Sequence, residues 1–417
     1  MADVARARYT LEIAWTVYAK DAFILGTSTI GGTHKLAVSI FDVVFSGTYD
    51  DLSEGLRSAT VNRGRDSTRQ FVIAGEATIR VFDAEGLMNP ENASSPLQTY
   101  LVDRYQPVRL RAYDPSAPAA PVGVFYGFLE KITWTPSRRK AGAGEARLLC
   151  KDLLTWLGDA RPVISATGAT TTGSAIGKIL DSIGWVDPMG RDLDVGDAIP
   201  DFSADGTKSA VLLIEELLIA ERGIFFVSGD GAAIYQDRLA RTSATSSATI
   251  SNTMRALHPG VDRSRLRNRV RVKRTQTGYI ATAADANSKA LIGDRDLEEI
   301  ETPYLPSNTQ ADGLAAYVLS RVKSAIPPIR SFAIDNRTQA LLTQCLVREL
   351  GEVVTLTAPA ADVASAQYMI ESLEQRIDSR RGSHETTWLL SQHTVITPFR
   401  IGTSQLVSAA PGHVLVY

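Results

Sequence analysis

Alternating apolar and polar residues dominate the first third of the chain. Residues 77–81 and 108–112 alternate strictly, and residues 122–134 form a longer apolar and aromatic run. Such alternation predicts β-strands, because successive side chains of a strand point to opposite faces. Clusters of Gly, Pro, Asn and Asp separate the runs and indicate turns. The pattern predicts a β-barrel or sandwich that ends with a short helix at 152–158.

The hydrophobic period changes in the middle of the chain. Residues 173–185 and 208–223 carry apolar side chains at spacings of three and four, which predicts two amphipathic helices. Gly223 is expected to cap the second helix at its C-terminus. Residues 224–238 then indicate two strands around a tight turn at Gly229-Asp230-Gly231. This region is predicted to form a small α+β unit.

Strand patterns return in the last third. The small polar residues of 241–253 indicate a linker or a weak edge strand. A helix is predicted at 309–325, where Pro327 and Pro328 stop it. The remaining predicted strands are 351–358, 367–378 and 384–391.

The two β regions share a repeated order of residues. Four matches occur in the same order along both regions: Leu110 with Leu356, Leu129-Glu130 with Leu373-Glu374, Ser137-Arg138-Arg139 with Ser379-Arg380-Arg381, and Leu148-Leu149 with Leu389-Leu390. A barrel-like domain is therefore expected to occur twice in the chain. Three copies of such a chain could form a ring of six similar units.

These patterns predict a mainly β fold with α+β insertions, in which two similar β-barrel-like domains accompany small α/β domains. The expected divisions of the 417 residues are 1–158 for the first barrel-like tube domain, 159–240 for the small α+β domain, 241–257 for the linker or edge strand, 258–395 for the second barrel-like domain with a helix-containing insertion at 275–330, and 396–417 for a C-terminal extension.

Composition excludes several classes of function. The formal net charge of −2 does not suggest a general nucleic-acid binder. The first residues lack the pattern of a secretory signal, and no window reaches the ~18 apolar residues that a membrane span needs. The sequence thus indicates synthesis in a cytoplasm. Cys150 and Cys345 are expected to be buried apolar residues and not a disulfide or metal pair.

A stripe of cations is the most unusual local pattern. Every second residue is basic, in the order Arg263, Arg265, Arg267, Arg269, Arg271 and Lys273. On a strand these side chains would share one face, whereas Leu266, Val270 and Val272 would face a core. One interpretation is a solvated face paired with Asp and Glu of neighbouring strands. The other is an interface or lumen surface that meets an acidic partner or DNA phosphates in transit.

No catalytic or cofactor motif accompanies the stripe. The five histidines, His34, His258, His384, His393 and His413, lack the spacing of a zinc site. Gly229-Asp230-Gly231 lacks the lysine and the strand-to-helix context of a phosphate loop. The sequence predicts no cofactor and no enzyme. Dispersed carboxylates of a glycosidase type remain an alternative, because such pairs assemble only in three dimensions.

One segment links these patterns to a known family. Residues 64–114 contain a Gly-Arg-Asp-Ser opening, an aliphatic strand, the loop Asn-Pro-Glu-Asn at 89–92 and the strand Pro-Val-Arg-Leu-Arg at 107–111. This order resembles the N-terminal region of long-tailed phage minor tail proteins of the baseplate or tail-tip hub type. Residues 125–130, 183–185, 205–207, 235–238 and 268–272 extend the resemblance over most of residues 1–395.

The resemblance implies a structural virion protein at the tail tip. Such a hub would be a homotrimer that adapts threefold to sixfold symmetry, closes or gates the tail tube during genome ejection and anchors tip or receptor-binding proteins. Its partners would be a distal tail protein ring, the tape-measure protein and other tip or fibre proteins, with transient passage of DNA. The loops 84–107 and 136–144 are candidate subunit contacts, with Asn89, Glu91 and Asn92 as the candidate residues.

Two other functions remain open from the sequence. A cell-wall polysaccharide or peptidoglycan hydrolase would require a deep cleft with convergent carboxylates. A carbohydrate-binding receptor module would require clustered exposed aromatic residues, whereas the aromatic content is 7% and lies mostly within apolar strand runs. No added lysin domain is expected, because the 396–417 segment is too short to contain one.

Overall fold

The fold is mainly β. The computed structural model describes residues 5–16, 48–65, 71–97, 106–185, 190–259, 266–323, 329–361, 363–393, 397–398 and 413–414. Their strands are β1 (Arg8–Thr16), β2 (Thr48–Asp51), β3 (Leu56–Gly64), β4 (Ile73–Asp83), β5 (Pro107–Tyr113), β6 (Pro121–Pro136), β7 (Gly144–Asp152), β8 (Val163–Ile164), β9 (Thr170–Thr171), β10 (Arg191–Leu193), β11 (Ala198–Ile199), β12 (Ala204–Asp205), β13 (Ile224–Val227), β14 (Ala233–Gln236), β15 (Ser246–Ser251), β16 (Arg255–Pro259), β17 (Arg269–Arg274), β18 (Ile280–Ala284), β19 (Ile300–Thr302), β20 (Ile329–Asp335), β21 (Val353–Ala358), β22 (Val363–Asp378), β23 (Ser383–Gln392), β24 (Thr397–Pro398) and β25 (His413–Val414).

The helices are short and lie between the strands. They are α1 (Leu153–Asp159), α2 (Thr172–Ser182), α3 (Ala210–Glu221), α4 (Arg238–Ser243), α5 (Ala286–Ile292), α6 (Asn308–Val322) and α7 (Gln339–Val347), with 3₁₀ turns at Ser53–Gly55 and Pro359–Ala361. Each α-helix begins after a Ser, Thr or Asp whose side chain accepts a hydrogen bond from the first turn. Such caps satisfy backbone donors that the helix itself leaves unpaired.

Both β regions belong to one sheet of 13 strands. Its order is β16-β20-β23-β22-β3-β4-β7-β6-β5-β1-β2, and β21 pairs with β22 and with β15. The link between the two regions is an antiparallel pairing of β3 with β22, in which residues 58–64 face residues 372–378. We call this pairing the β3–β22 junction. Strands that lie about 300 residues apart in the chain are thus direct neighbours.

The same five-strand topology occurs twice within that sheet. In chain order the first copy is β3, β4, β5, β6, β7, and these strands lie in the order 3-4-7-6-5. The second copy is β16, β20, β21, β22, β23, and its spatial order is 16-20-23-22-21. The fourth strand of each copy, β6 or β22, has 16 residues.

A bulge at the same place fixes the alignment of the two copies. The β6–β7 register shifts between Leu129 and Lys131, and the β22–β23 register shifts between Ile370 and Ser372. The extra residues are Glu130 and Glu371, so the bulge aligns Glu130 with Glu371 and not with Glu374. The sequence match was three residues off because it followed a Leu-Glu pair, whereas the bulge follows the ladder.

One smaller unit lies between the two copies, and another is inserted within the second copy. In the first, α2 and α3 contact each other beside the three-stranded sheet β10-β14-β13. In the second, α6 packs on the sheet β18-β17-β19 and encloses a separate apolar core that includes Val270 and Val272. The cationic strand therefore belongs to this small sheet. Ser246–Ser251, expected as a linker or edge strand, lies parallel to β21.

The end of α3 differs from the prediction. The left-handed capping residue is Arg222, with φ of 61°, and not Gly223. Gly223 is needed for another reason, because a Cβ atom there would lie 2.5 Å from the Gln236 carbonyl oxygen. A non-glycine residue in the left-handed region costs roughly 1 kcal/mol. The chain thus keeps an arginine where helix ends ordinarily place glycine.

The cysteines are buried as expected. Cys150 and Cys345 are both free thiols in apolar cores. Burial raises the pKa of the Cys345 thiol to about 12, and that of Cys150 is also raised by burial. Both are therefore protonated and unreactive at neutral pH. Within the described residues, no helix is long and apolar enough to cross a membrane.

Candidate interaction surfaces

The cationic strand carries its own counter-charges. Val270 and Val272 are fully buried, and the intervening cations face outward. Three ion pairs join the strand to the segment before and within β19: Arg269 with Asp296 (2.7 Å), Arg271 with Glu299 (3.7 Å) and Lys273 with Glu301 (2.8 Å). The three outward-facing cations of β17 thus face three carboxylates, which leaves this face close to neutral.

The remaining cations of the stripe are placed differently. Arg263 and Arg265 lie outside the described residues. Arg267 precedes β17, and its guanidinium donates to the Leu266 carbonyl oxygen at 2.9 Å. Arg274, which the alternating pattern did not single out, is buried and donates to the carbonyl oxygens of Leu305 and Pro306. It ties β17 to the start of α6.

The Asn-Pro-Glu-Asn loop is built from internal hydrogen bonds. The Asp83 carboxylate accepts from the backbone N–H groups of Leu87 (3.0 Å) and Met88 (2.7 Å). The Asn92 amide donates to the Gly86 carbonyl oxygen at 2.9 Å, and Ser95 is buried. These bonds hold the tip in one conformation, and they leave Pro90, Glu91, Ala93 and Ser94 exposed.

The two candidate contact loops meet on one surface. Lys140 donates to the Ala84 carbonyl oxygen at 3.3 Å, which joins the β6–β7 turn to the start of the other loop. Gly86 has φ of +71°, and a Cβ there would lie 2.4 Å from the Gly142 carbonyl oxygen. Glycine is therefore required at position 86 for both reasons. We call residues 84–97 and 137–143 together the loop surface; residues 98–105 of the predicted loop lie outside the described residues.

Charged side chains reinforce the β3–β22 junction. The Nη1 atom of Arg63 donates to both carboxylate oxygens of Glu349, each at 2.9 Å. Arg65 and Arg241 both pair with the Glu371 carboxylate, at 2.7 and 3.0 Å, and Ser391 donates to it at 2.6 Å. Burial alone would raise the pKa of Glu371, but the two guanidinium groups hold it well below its usual range. The bulge residue is thus a buried anion next to the end of the β3–β22 junction, where Ser372 pairs with Gly64.

Two neighbouring carboxylates, Glu221 and Asp197, lie in the small α+β unit, and only Glu221 is buried. Glu221 is 2% exposed and accepts hydrogen bonds from the Asp197 backbone (2.7 Å) and the Thr172 hydroxyl (3.3 Å). Asp197 pairs with Arg238 at 2.7 Å. Burial, together with the charge of Asp197, raises the pKa of Glu221. Because Glu221 is enclosed and its oxygens are occupied, this pair does not form the open cleft that a hydrolase requires.

No cluster of metal-binding side chains is found in the described part of the chain. No three His, Cys, Asp or Glu residues there converge as a metal site would require. His384 is fully buried, and its Nδ1 lies 2.9 Å from the Tyr9 hydroxyl. Glu216, at the exposed edge of α3, pairs with Lys208 at 2.6 Å. These groups have structural partners.

Comparison with known proteins identifies the fold. No protein-family model matches the chain, and no curated protein sequence matches it significantly. Among solved structures, a tail protein from Neisseria meningitidis MC58 shares the fold with a TM-score of 0.59 at 11% identity, covering 93% of this chain and 97% of that one. The 43 kDa tail protein of prophage MuSo2 from Shewanella oneidensis gives 0.54 at 13% identity, covering 83% and 94%.

A chain of a two-protein complex is also similar. A chain of the lidded Francisella PdpA–VgrG complex gives a TM-score of 0.50 at 12% identity, covering 95% of this chain and 54% of that one. The likeness to phage tail proteins that residues 64–114 indicated is thus found at the level of the fold. At these identities the comparison concerns the fold alone.

Proposed function

We propose that this chain is a structural component of a phage-type tail that forms a homotrimeric ring at the tail tip. The proposal rests on the repeated five-strand topology and on its strand pairing. Of two equivalent pairings between the copies, only one is formed among the described residues of a single chain. Inside one chain, the first strand of copy one, β3, pairs with the C-terminal half of β22 in copy two. The equivalent pairing would join β16 to the C-terminal half of β6.

Among the described residues of one chain, both of those edges are open. β16 ends the path of the sheet, and beyond Phe128 no described strand pairs with the outer edge of β6. Lys131, Thr133 and Thr135 on β6 are exposed, as is His258 on β16. An unpaired strand edge is a template for pairing with another chain. Three chains joined in this way would have three internal and three intermolecular junctions in a ring of six units.

The register of the intermolecular junction follows from the repeat. Arg376 pairs with Thr60 across the β3–β22 junction. The bulge alignment makes Thr135 the equivalent of Arg376, because these residues face Glu145 and Glu385 in the following strands. Thr60 and His258 occupy equivalent positions. Each pairs with a residue of the next strand in the sheet, and that residue in turn pairs with the leucine opposite the bulge. Thr135 of one protomer should therefore lie opposite His258 of the next.

Cysteine cross-linking tests this register. Directly paired residues of antiparallel strands have Cβ atoms about 4.5–5.5 Å apart, within reach of a disulfide. Thr135→Cys combined with His258→Cys should give covalent trimers of the 45.1 kDa chain on a non-reducing gel. The matched control is Thr133→Cys with His258→Cys, which shifts one cysteine by two residues on the same face. Equal cross-linking of the control, or none in either variant, would contradict the junction.

The molecular mass of the protein in solution tests whether the trimer forms. Light scattering at several concentrations, followed by negative-stain imaging, should show a trimer with six lobes. The loop surface would then contact neighbouring tail components such as a distal tail protein ring, the tape-measure protein or fibre proteins. At such contacts the cationic strand would exchange its ion pairs within the chain for ion pairs with a neighbouring protein. A monomer that degrades cell-wall material would refute the structural role and favour the hydrolase.

A further inference from the structure

Four arginines surround one cavity where the large sheet meets both small units. The cavity has a volume of about 170 Å³, and Arg65, Arg222, Arg241 and Arg321 line it together with Tyr317 and Met369. We call it the arginine pocket. Its walls come from the end of β3, the end of α3, α4, α6 and β22. It is distinct from the loop surface and from the cationic strand.

The charge of the pocket is only partly balanced. Arg65 and Arg241 share the single carboxylate of Glu371, which lies behind the lining. Arg321 donates to the Gln392 carbonyl oxygen at 3.1 Å, which is a neutral acceptor. Among the described lining residues no carboxylate is present. Within the described part of the chain, the four guanidinium groups of the lining are thus set against the one carboxylate of Glu371.

Arg222 is the group least satisfied by its surroundings. Its Nε is buried and finds no acceptor among the described residues. Burial lowers its pKa to about 10, and the neighbouring charge of Arg65 also acts to lower it. A buried donor without an acceptor is costly, and buried cations ordinarily have an anionic partner. The left-handed backbone at this residue adds to that cost.

We propose that the arginine pocket binds a compact oxyanion, such as a phosphate ion or a single carboxylate group. A volume of about 170 Å³ accommodates one such group with a few waters, and it is too small for a polymer segment. Guanidinium groups bind oxyanions through paired N–H donors, and several can share one anion. The bound anion would supply the acceptor that Arg222 lacks and would hold the large sheet and both small units together.

Calorimetric titration of the full chain tests the proposal. Phosphate and acetate are titrated separately at an ionic strength held constant with chloride. We expect saturable binding of at least one oxyanion, and Arg222→Gln should weaken it at least about tenfold, as the loss of one charge-assisted bond predicts. Lys208→Gln removes the same charge from an exposed site that is not in the lining, and it should leave binding unchanged.

The outcomes separate the sources of the anion. Saturation by phosphate alone indicates a free phosphate-type ligand, and saturation by acetate alone indicates a carboxylate side chain of a partner. If Arg222→Gln does not fold, Arg321→Gln replaces it, because Arg321 is exposed and its loss should be tolerated. Binding no stronger than that of chloride, or binding unchanged in the arginine variants, would overturn the proposal.

Discussion

Glu371 should be the residue on which the β3–β22 junction depends most. Its side chain is 7% exposed, and it neutralises Arg65 and Arg241, whose side chains are 17% and 9% exposed. Glu371→Gln keeps the shape of the side chain but removes the charge. Two nearly buried guanidinium groups would then lose their anion beside the further cations of the arginine pocket.

The expected loss is large for one substitution. Removal of one partner of a buried ion pair typically costs about 3–5 kcal/mol, because the remaining charge is left uncompensated. With a urea m-value of about 3 kcal/mol/M or more, the unfolding midpoint would fall by about 1 M. Fluorescence of the fully buried Trp388, on the adjacent strand β23, can follow the transition.

Glu374→Gln is the matched control. Glu374 lies on the same strand three residues further on and pairs with exposed Arg376. An exposed pair contributes about 0–1 kcal/mol, so this variant should remain close to the wild type. If Glu371→Gln shifted the midpoint no more than Glu374→Gln, the buried carboxylate would not stabilise the junction as argued.

Acid titration adds a second test of the same residue. The pKa of Glu371 is held below its unfolded value by the two arginines. Its contribution is therefore present above pH ~4.5 and is lost as the pH falls towards the folded pKa. Glu371→Gln should remove this part of the acid sensitivity, so that the wild type and the variant converge at low pH.

Three further outcomes are expected. Gly86→Ala should speed hydrogen exchange in residues 84–97 far more than Gly142→Ala, since only the first places a Cβ against backbone although both glycines have positive φ. Burial lowers the pKa of His384 to about 4, so stability should fall by up to about 3 kcal/mol as the pH drops from 6.5 to 4, and urea midpoints of His384→Gln should show a shallower fall. The raised pKa of Glu221 means that stability falls as the pH rises above about 4.5, and Glu221→Gln should flatten that slope; an unchanged slope would contradict the burial argument.

Local elements were predictable from the sequence. The helices predicted at 173–185, 208–223 and 309–325 occur at Thr172–Ser182, Ala210–Glu221 and Asn308–Val322. The strand pattern at 108–112 lies within β5. These segments have a clear hydrophobic period and capping residues, which act within one or two turns of the chain.

Long-range pairings were not predictable in the same way. Nothing local in residues 58–64 indicates that they pair with 372–378, because that register depends on both faces of a sheet already formed. The cationic stripe predicted the alternation of Val270 and Val272, but the acidic partners lie 27 or 28 residues away. The residues of the arginine pocket come from five elements, and no spacing pattern in the sequence indicates that they lie together.

The β3–β22 junction also has a consequence for biosynthesis. Its two strands are separated by about 300 residues, so a ribosome adding about 5–20 residues per second takes about 15–60 s between them. During that interval β3 emerges with an unpaired edge that is open to strands of other nascent chains. Translation speed and chaperone access over this interval should therefore decide how much of the protein reaches its native partner strand and how much aggregates.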